Sequence, residues 1–188
     1  MKKTTLVIVM AMLCHIFSAC AQITAKNEMA IRPLTIGDKV PDLTFTNILN
    51  GNRKSLSLSA FKGKAIILDF WATWCSSCIS AFPKMYDYQN KYHRNLQVIL
   101  VGDAETDTKQ ELEAFLAKRS GTKDEIQLPI ASHDTLTTAL FPHRAFPHYV
   151  WIGADRRVKA ITSSSIVNQE NLENFIAGRD LYVKTKEY

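Results

Sequence analysis

Apolar and polar positions change rhythm several times along this chain, and each change predicts an element. Leu43-Thr44-Phe45-Thr46-Asn47-Ile48 alternates, Asn50-Gly51-Asn52 supplies turn residues, and residues 55–58 resume an extended pattern, which predicts a hairpin. Residues 65–72 form an apolar run with a single acid, Asp69, and read as a buried central strand. Residues 76–93 place Ile79, Phe82 and Tyr86 on one helical face, with a kink expected at Pro83. Residues 96–102 are a second buried strand. Asp107-Thr108-Lys109-Gln110 then opens a helix in capping-box style, with Leu112, Phe115 and Leu116 at helical spacing. Residues 126–131 read as a short extended piece and 134–140 as a short helix. Residues 147–153 and 158–163 read as two strands joined at Ala154-Asp155-Arg156. Asn168 caps a last helix that turns Leu172, Phe175 and Ile176 inward and stops near Gly178. Hairpin, strand-helix-strand-helix, then strand-strand-helix predicts an α/β fold with a mixed central sheet flanked by helices.

Composition fits one globular domain: 46% of the 188 residues are apolar, and seven glycines and six prolines are too few for a collagenous or low-complexity chain. Four cysteines are also too few for a disulfide framework at this length, so each needs its own account. Residues 1–21 read as an export signal. Lys2 and Lys3 precede an apolar run from Leu6 to Phe17 that is shorter than the roughly 20 residues a membrane span needs. Two cleavages fit. Ala19-Cys20-Ala21 is a small-x-small site that leaves Gln22 first, and Phe17-Ser18-Ala19-Cys20 resembles a bacterial lipobox that would leave Cys20 as a lipid anchor. Residues 22–33 read as a tether and 34–188 as the folded domain.

Export changes both the charge and the cysteine count. The net charge of +5 loses Lys2 and Lys3 and no acid, so 21 basic residues face 18 acidic ones, a surplus of +3. That surplus, without a basic stripe interleaved with aromatics, argues against nucleic acid as a partner. Cys14 leaves, Cys20 leaves or carries lipid, and the domain keeps Cys75 and Cys78. In an oxidising compartment such a pair is expected to cycle or to stay bonded.

The stretch that carries chemistry is Leu68-Asp69-Phe70-Trp71-Ala72-Thr73-Trp74-Cys75-Ser76-Ser77-Cys78. A strand runs into a cysteine that opens a helix, and the second cysteine follows at i+3 on the same face. Free N–H groups and the positive end of the helix dipole lower a thiol pKa there, and the thiolate is the species that attacks disulfides. Cys75 is the predicted nucleophile and Cys78 the resolving thiol. An acid in the middle of a central strand is buried, and desolvation raises its pKa toward neutrality, which marks Asp69. No cofactor is expected.

The sequence resembles the thioredoxin superfamily, and within it the exported TlpA/ResA-type thiol-disulfide oxidoreductases. The match runs over residues 36–178. It comprises Gly37-Asp38-Lys39-Val40-Pro41-Asp42, Phe61-Lys62-Gly63-Lys64, the Asp69-Phe70-Trp71-Ala72 lead into the cysteines, Pro83, and Phe146-Pro147 before an apolar strand. The resemblance implies a thioredoxin-like fold with an N-terminal hairpin extension. It also implies a cis bond before Pro147, backbone near Pro147 that pairs with an incoming peptide, and Trp71 and Trp74 flanking the cysteines. Asp69 would accept the proton of Cys78, and Trp74, Phe146 and Pro147 would bind substrate. The partners implied are disulfide-bearing exported proteins and an upstream thiol electron donor, with reduction as the direction, in the periplasm or cell envelope.

Departures from the pattern are specific. Ser76-Ser77 stands where many of these proteins carry a Pro, Ala81 where they carry an acid, and Phe146 where Thr or Val is usual; no lysine in residues 98–100 accompanies Asp69. Peroxidase chemistry on this fold needs Pro and Ser/Thr at positions that hold Leu68 and Ala72. A zinc finger from Cys75, Cys78, His143 and His148 would span a 64-residue gap against the usual 12 to 15. A copper carrier using Cys75, Cys78 and His148 is the alternative of another class, because soft thiolates suit Cu(I). His148 also fits as a groove residue tuning Cys75 or as a surface histidine; the other four histidines carry no assignment.

Overall fold

The computed structural model describes residues 31–50, 53–103, 105–132 and 134–181. The export signal, Cys20, most of the tether and the Gly51-Asn52 turn lie outside the described residues. The chain divides into a unit of residues 1–32 and one of residues 33–188, and the second holds the fold described below.

Among the described residues, seven strands and four α-helices follow in the order β1 (Thr44–Phe45), β2 (Leu56–Ser57), β3 (Ala65–Trp71), α1 (Ser76–Lys91), β4 (Leu96–Gly102), α2 (Lys109–Ala117), β5 (Ile130–Ser132), α3 (Thr135–Leu140), β6 (His148–Ile152), β7 (Val158–Thr162) and α4 (Gln169–Ile176). β1 and β2 pair antiparallel as the N-terminal hairpin. The central sheet has the order β5-β4-β3-β6-β7, with β3, β4 and β5 parallel and β6 and β7 antiparallel. β3 lies in the middle with every residue buried, which is what an apolar run without alternation requires.

Alternation along β3 sorts the core into two layers. Ala65, Ile67 and Trp71 join the layer that holds Cys75, Cys78, Phe82, Met85, Leu112, Leu172 and Phe175. Ile66, Leu68 and Phe70 face the other layer, with Leu43, Phe45, Leu58, Phe61, Leu140 and Phe141. Asp69 therefore belongs to the cysteine face. Tyr149 and Trp151 of β6 lie on that face too, whereas Val150 and Ile152 lie on the opposite one.

Four elements differ from the sequence expectation. Leu58 starts a 3₁₀ turn over Leu58–Phe61 instead of ending a strand, because the side chains of Ser57 and Asp42 both accept the Ser59 N–H. α1 ends at Lys91 and runs through Pro83, and it buries Cys78, Phe82 and Met85 while Ile79 and Tyr86 stay on the flank. Cys78 itself occupies an i, i+4, i+7 stripe, a place an apolar-only count leaves empty. The extended piece shrinks to Ile130–Ser132, with Asn50 taking the Ile130 N–H. Ile176 is only half-buried.

The capping box of α2 sits one residue later than expected. The Thr108 side chain accepts the Glu111 N–H and the Glu111 carboxylate accepts the Thr108 N–H. Thr108→Ala is expected to cost about 1 kcal/mol in urea unfolding; an unchanged midpoint would show that the box contributes nothing. Moving the cap to Thr108 leaves Asp107 available for another task. Gly102, at the end of β4, lets α2 come close, since a Cβ there would meet Leu112 Cδ1 at 3.0 Å.

Candidate active site

β3 ends at Trp71, and residues 72–75 turn the chain into α1, with the Cys75 N–H donating to the Ala72 carbonyl at 3.0 Å. Cys75 is the N-cap of α1, and its Sγ accepts the Cys78 N–H at 3.2 Å. Cys75 and Cys78 form a disulfide. Cys75 is 5% exposed and Cys78 fully buried, so an approaching group meets Cys75 first. No acidic residue occupies the first turn of α1, and the Ser77 hydroxyl lies 3.5 Å from Cys75 Sγ. Helix dipole, N–H and hydroxyl all favour negative charge at that sulfur once the bond opens.

Asp69 is fully buried on the cysteine face and stands directly across from Tyr149 in the β3–β6 register. Burial pushes its carboxyl well above the ordinary range, and the Tyr149 hydroxyl offsets this only in part. The Tyr149 phenol is pushed up as well, by burial first and then by the Asp69 carboxyl. The contact between them falls short of a well-formed hydrogen bond. Tyr149 stands as the polar neighbour of this acid and was invisible in the sequence, because its partner is fixed by strand register alone.

The Phe146–Pro147 peptide bond is cis, as the resemblance implies. Pro147 is buried at the start of β6, and Phe146 packs edge-on against Trp74 with ring centroids 5.6 Å apart. Trp74 is 65% exposed, a large apolar ring left in water beside Cys75. Trp71, by contrast, is buried against Phe82 and Phe115 and serves packing. A cavity of about 560 Å³ along α1, lined by Ile79, Pro83, Tyr86, Arg119 and Ile126, touches neither cysteine.

His148 does not join the cysteines. It is paired with Phe70, is fully buried on the opposite face of the sheet, and stacks on His143 at 4.7 Å. Among the described residues no cluster of three or more His, Cys, Asp or Glu side chains could hold a metal ion. The copper-carrier alternative thus loses its third ligand, and His148 is neither a surface nor a groove residue. His143, which carried no assignment, meets Asp103 at 3.5 Å.

Fold and site together place the chain in the thioredoxin superfamily. It belongs to the AhpC/TSA family, whose profile matches residues 36–140, more than half of the chain. Thioredoxin-like protein YneN of Bacillus subtilis is 36% identical over 91 residues, covering 47% of this chain and 50% of that protein. Thiol-disulfide oxidoreductase ResA of Bacillus thuringiensis subsp. konkukian is 33% identical over 75 residues, covering 39% of this chain and 42% of the relative. The chain thus spans half or less of the length of these curated relatives. A Chlorobium tepidum protein assigned as the thiol:disulfide interchange protein DsbE superposes with a TM-score of 0.54 at 29% identity, covering 69% of this chain and 86% of that one. No described helix is long and apolar enough to cross a membrane.

Proposed function

We propose that this chain is an exported thiol-disulfide oxidoreductase that reduces disulfides in other exported proteins. The observation that carries it is the Cys75–Cys78 disulfide at the N-terminus of α1, with Cys75 as cap and Cys78 buried beneath it. In the reduced protein the Cys75 thiolate attacks one sulfur of a client disulfide, forms a mixed disulfide and expels the other client sulfur as a thiolate. Cys78 gives its proton to Asp69 and attacks Cys75 Sγ, releasing the second client sulfur and closing the Cys75–Cys78 bond. Two electrons have passed to the client, and an upstream thiol donor restores the dithiol. Burial raises the Asp69 carboxyl well above its ordinary range, which makes its carboxylate a stronger base toward the Cys78 thiol.

Trp74, Phe146 and Pro147 form the client-binding surface, with extended client backbone pairing beside Pro147. Reduction as the direction follows the TlpA/ResA resemblance. Residues 1–21 act as the export signal, residues 22–33 as a tether and residues 34–188 as the thioredoxin-like domain; Cys20 is the lipid anchor if cleavage precedes it. Peroxidase chemistry finds no support at Leu68 and Ala72.

Cys78→Ser removes the resolving thiol and leaves the attacking one. Expressed in the native cell envelope, this variant is expected to accumulate mixed disulfides with client proteins, seen as reductant-sensitive bands and identified by mass spectrometry. If it traps no more protein than Cys75→Ser does, the exchange mechanism is wrong.

A further inference from the structure

Two carboxylates flank the turn that follows β4, and each reaches a different half of the site. Asp107 is 4% exposed, so its carboxylate must be hydrogen-bonded. Its Oδ2 accepts the Thr73 N–H and its Oδ1 the Thr73 hydroxyl, both at 2.7 Å. Thr73 lies two residues before Cys75, within about 7 Å along the chain. Residues 72–75 have left the β3 ladder and have not yet entered α1, so this bidentate clamp supplies order where secondary structure does not.

Asp103, 5% exposed, reaches the other half. Its Oδ1 accepts the Glu105 N–H at 2.9 Å and the Thr138 hydroxyl of α3 at 3.4 Å, and its Oδ2 faces His143 Nε2 at 3.5 Å. Burial alone would raise the Asp103 carboxyl; the bonds from His143, Glu105 and Thr138 and the charge of His143 outweigh it and hold it below the ordinary range. The other ring nitrogen of His143, Nδ1, lies 3.0 Å from the Phe141 carbonyl. The Nδ1 contact, the nearby Asp103 carboxylate and the packing of its two faces together set where the ring lies. It stacks on His148 and meets Phe146 edge-on at 4.9 Å, and Phe146 in turn meets Trp74.

We propose that these are positioning residues with separate duties: Asp107 sets the loop that delivers Cys75, and Asp103, through His143, sets Phe146 against Trp74 where a client chain docks. The assignment rests on the thiol-disulfide function proposed above. It makes Asp107 a determinant of the exchange rate with any disulfide, and His143 a determinant of affinity for protein disulfides only.

The test compares purified full-length wild type, Asp107→Ala, Asp107→Asn, His143→Ala and His143→Phe on two substrates, insulin and the small hydroxyethyl disulfide. Asp107→Ala is expected to lower kcat about tenfold to a hundredfold on both, the scale of a misplaced reacting group. Asp107→Asn, whose amide oxygen can accept the Thr73 N–H while its NH2 donates to the Thr73 hydroxyl oxygen, is expected to recover to within about threefold. His143→Ala is expected to raise KM for insulin about three- to tenfold, the worth of one aromatic contact, and to change the small-disulfide rate less than twofold. His143→Phe keeps ring volume in the core and guards against simple unfolding, as does Asp107→Asn. The proposal is overturned if Asp107→Ala retains kcat, if Asp107→Asn is as slow as Asp107→Ala, or if His143 variants slow both substrates equally. A wild type that reduces neither substrate overturns the thiol-disulfide function itself, whatever the variants do.

Discussion

Cys75→Ser is expected to reduce insulin-disulfide turnover by about three orders of magnitude or more, to the rate of reductant alone. The attacking species must be an anion, and a serine hydroxyl at the same cap has no accessible anion at neutral pH. Every stabilising element converges on this sulfur: the Cys78 N–H at 3.2 Å, the Ser77 hydroxyl at 3.5 Å and an α1 first turn free of acids. Cys78 cannot take over, because it is fully buried in the core layer that also holds Trp71 and Phe82. Insulin turbidity gives the rate, and a variant that retained a tenth of wild-type turnover would show that Cys78 attacks first.

Asp69→Asn is expected to make the protein more stable and less active at once. The folded-state carboxyl is raised, so between the ordinary value near 4 and the folded value the native protein keeps a proton that the unfolded chain releases. The native state then binds more protons than the unfolded one, and wild-type stability falls as pH rises through that window. Asparagine removes this loss. The variant should melt several degrees above wild type at pH 8, where 1 kcal/mol corresponds to about 2–4 °C for a domain of this size, with the gap closing toward pH 4. Turnover at neutral pH should drop about tenfold or more, since Cys78 loses its proton acceptor. Melting curves that keep the same separation at pH 4 and pH 8 would mean that folding does not raise the Asp69 carboxyl.

The parts of this site that were legible in the sequence are those whose chemistry is local. The run ending at Trp71, the cysteines at i and i+3, and the proline before β6 each carry their own signal within a few residues. Asp69 was legible as a buried acid because it sits inside an apolar run. What stayed hidden depends on register or on distant loops. Tyr149 faces Asp69 only because β6 pairs with β3 in that register, and one residue of slip would put His148 there instead. Asp107 looked like part of a helix cap because Thr108, the actual cap, follows it directly. His143 and Asp103 are 40 positions apart in the chain, and nothing in either neighbourhood announces the other. The buried face of α1 is hidden from an apolar count because Cys78, a chemical group in the sequence, also fills the core.

The alternation along β3 has a consequence for how such a protein can diversify. In the proposed mechanism the proton-handling groups Asp69 and Cys78, with Tyr149, lie on one side of a sheet five strands wide, while the His143–His148 stack that meets Phe146 lies on the other. Exchanging Phe146 and His143 for other pairs would retarget the protein to new clients without touching the residues that set its electron chemistry. Phe146, which packs against both layers, is where the two sides meet beside Cys75.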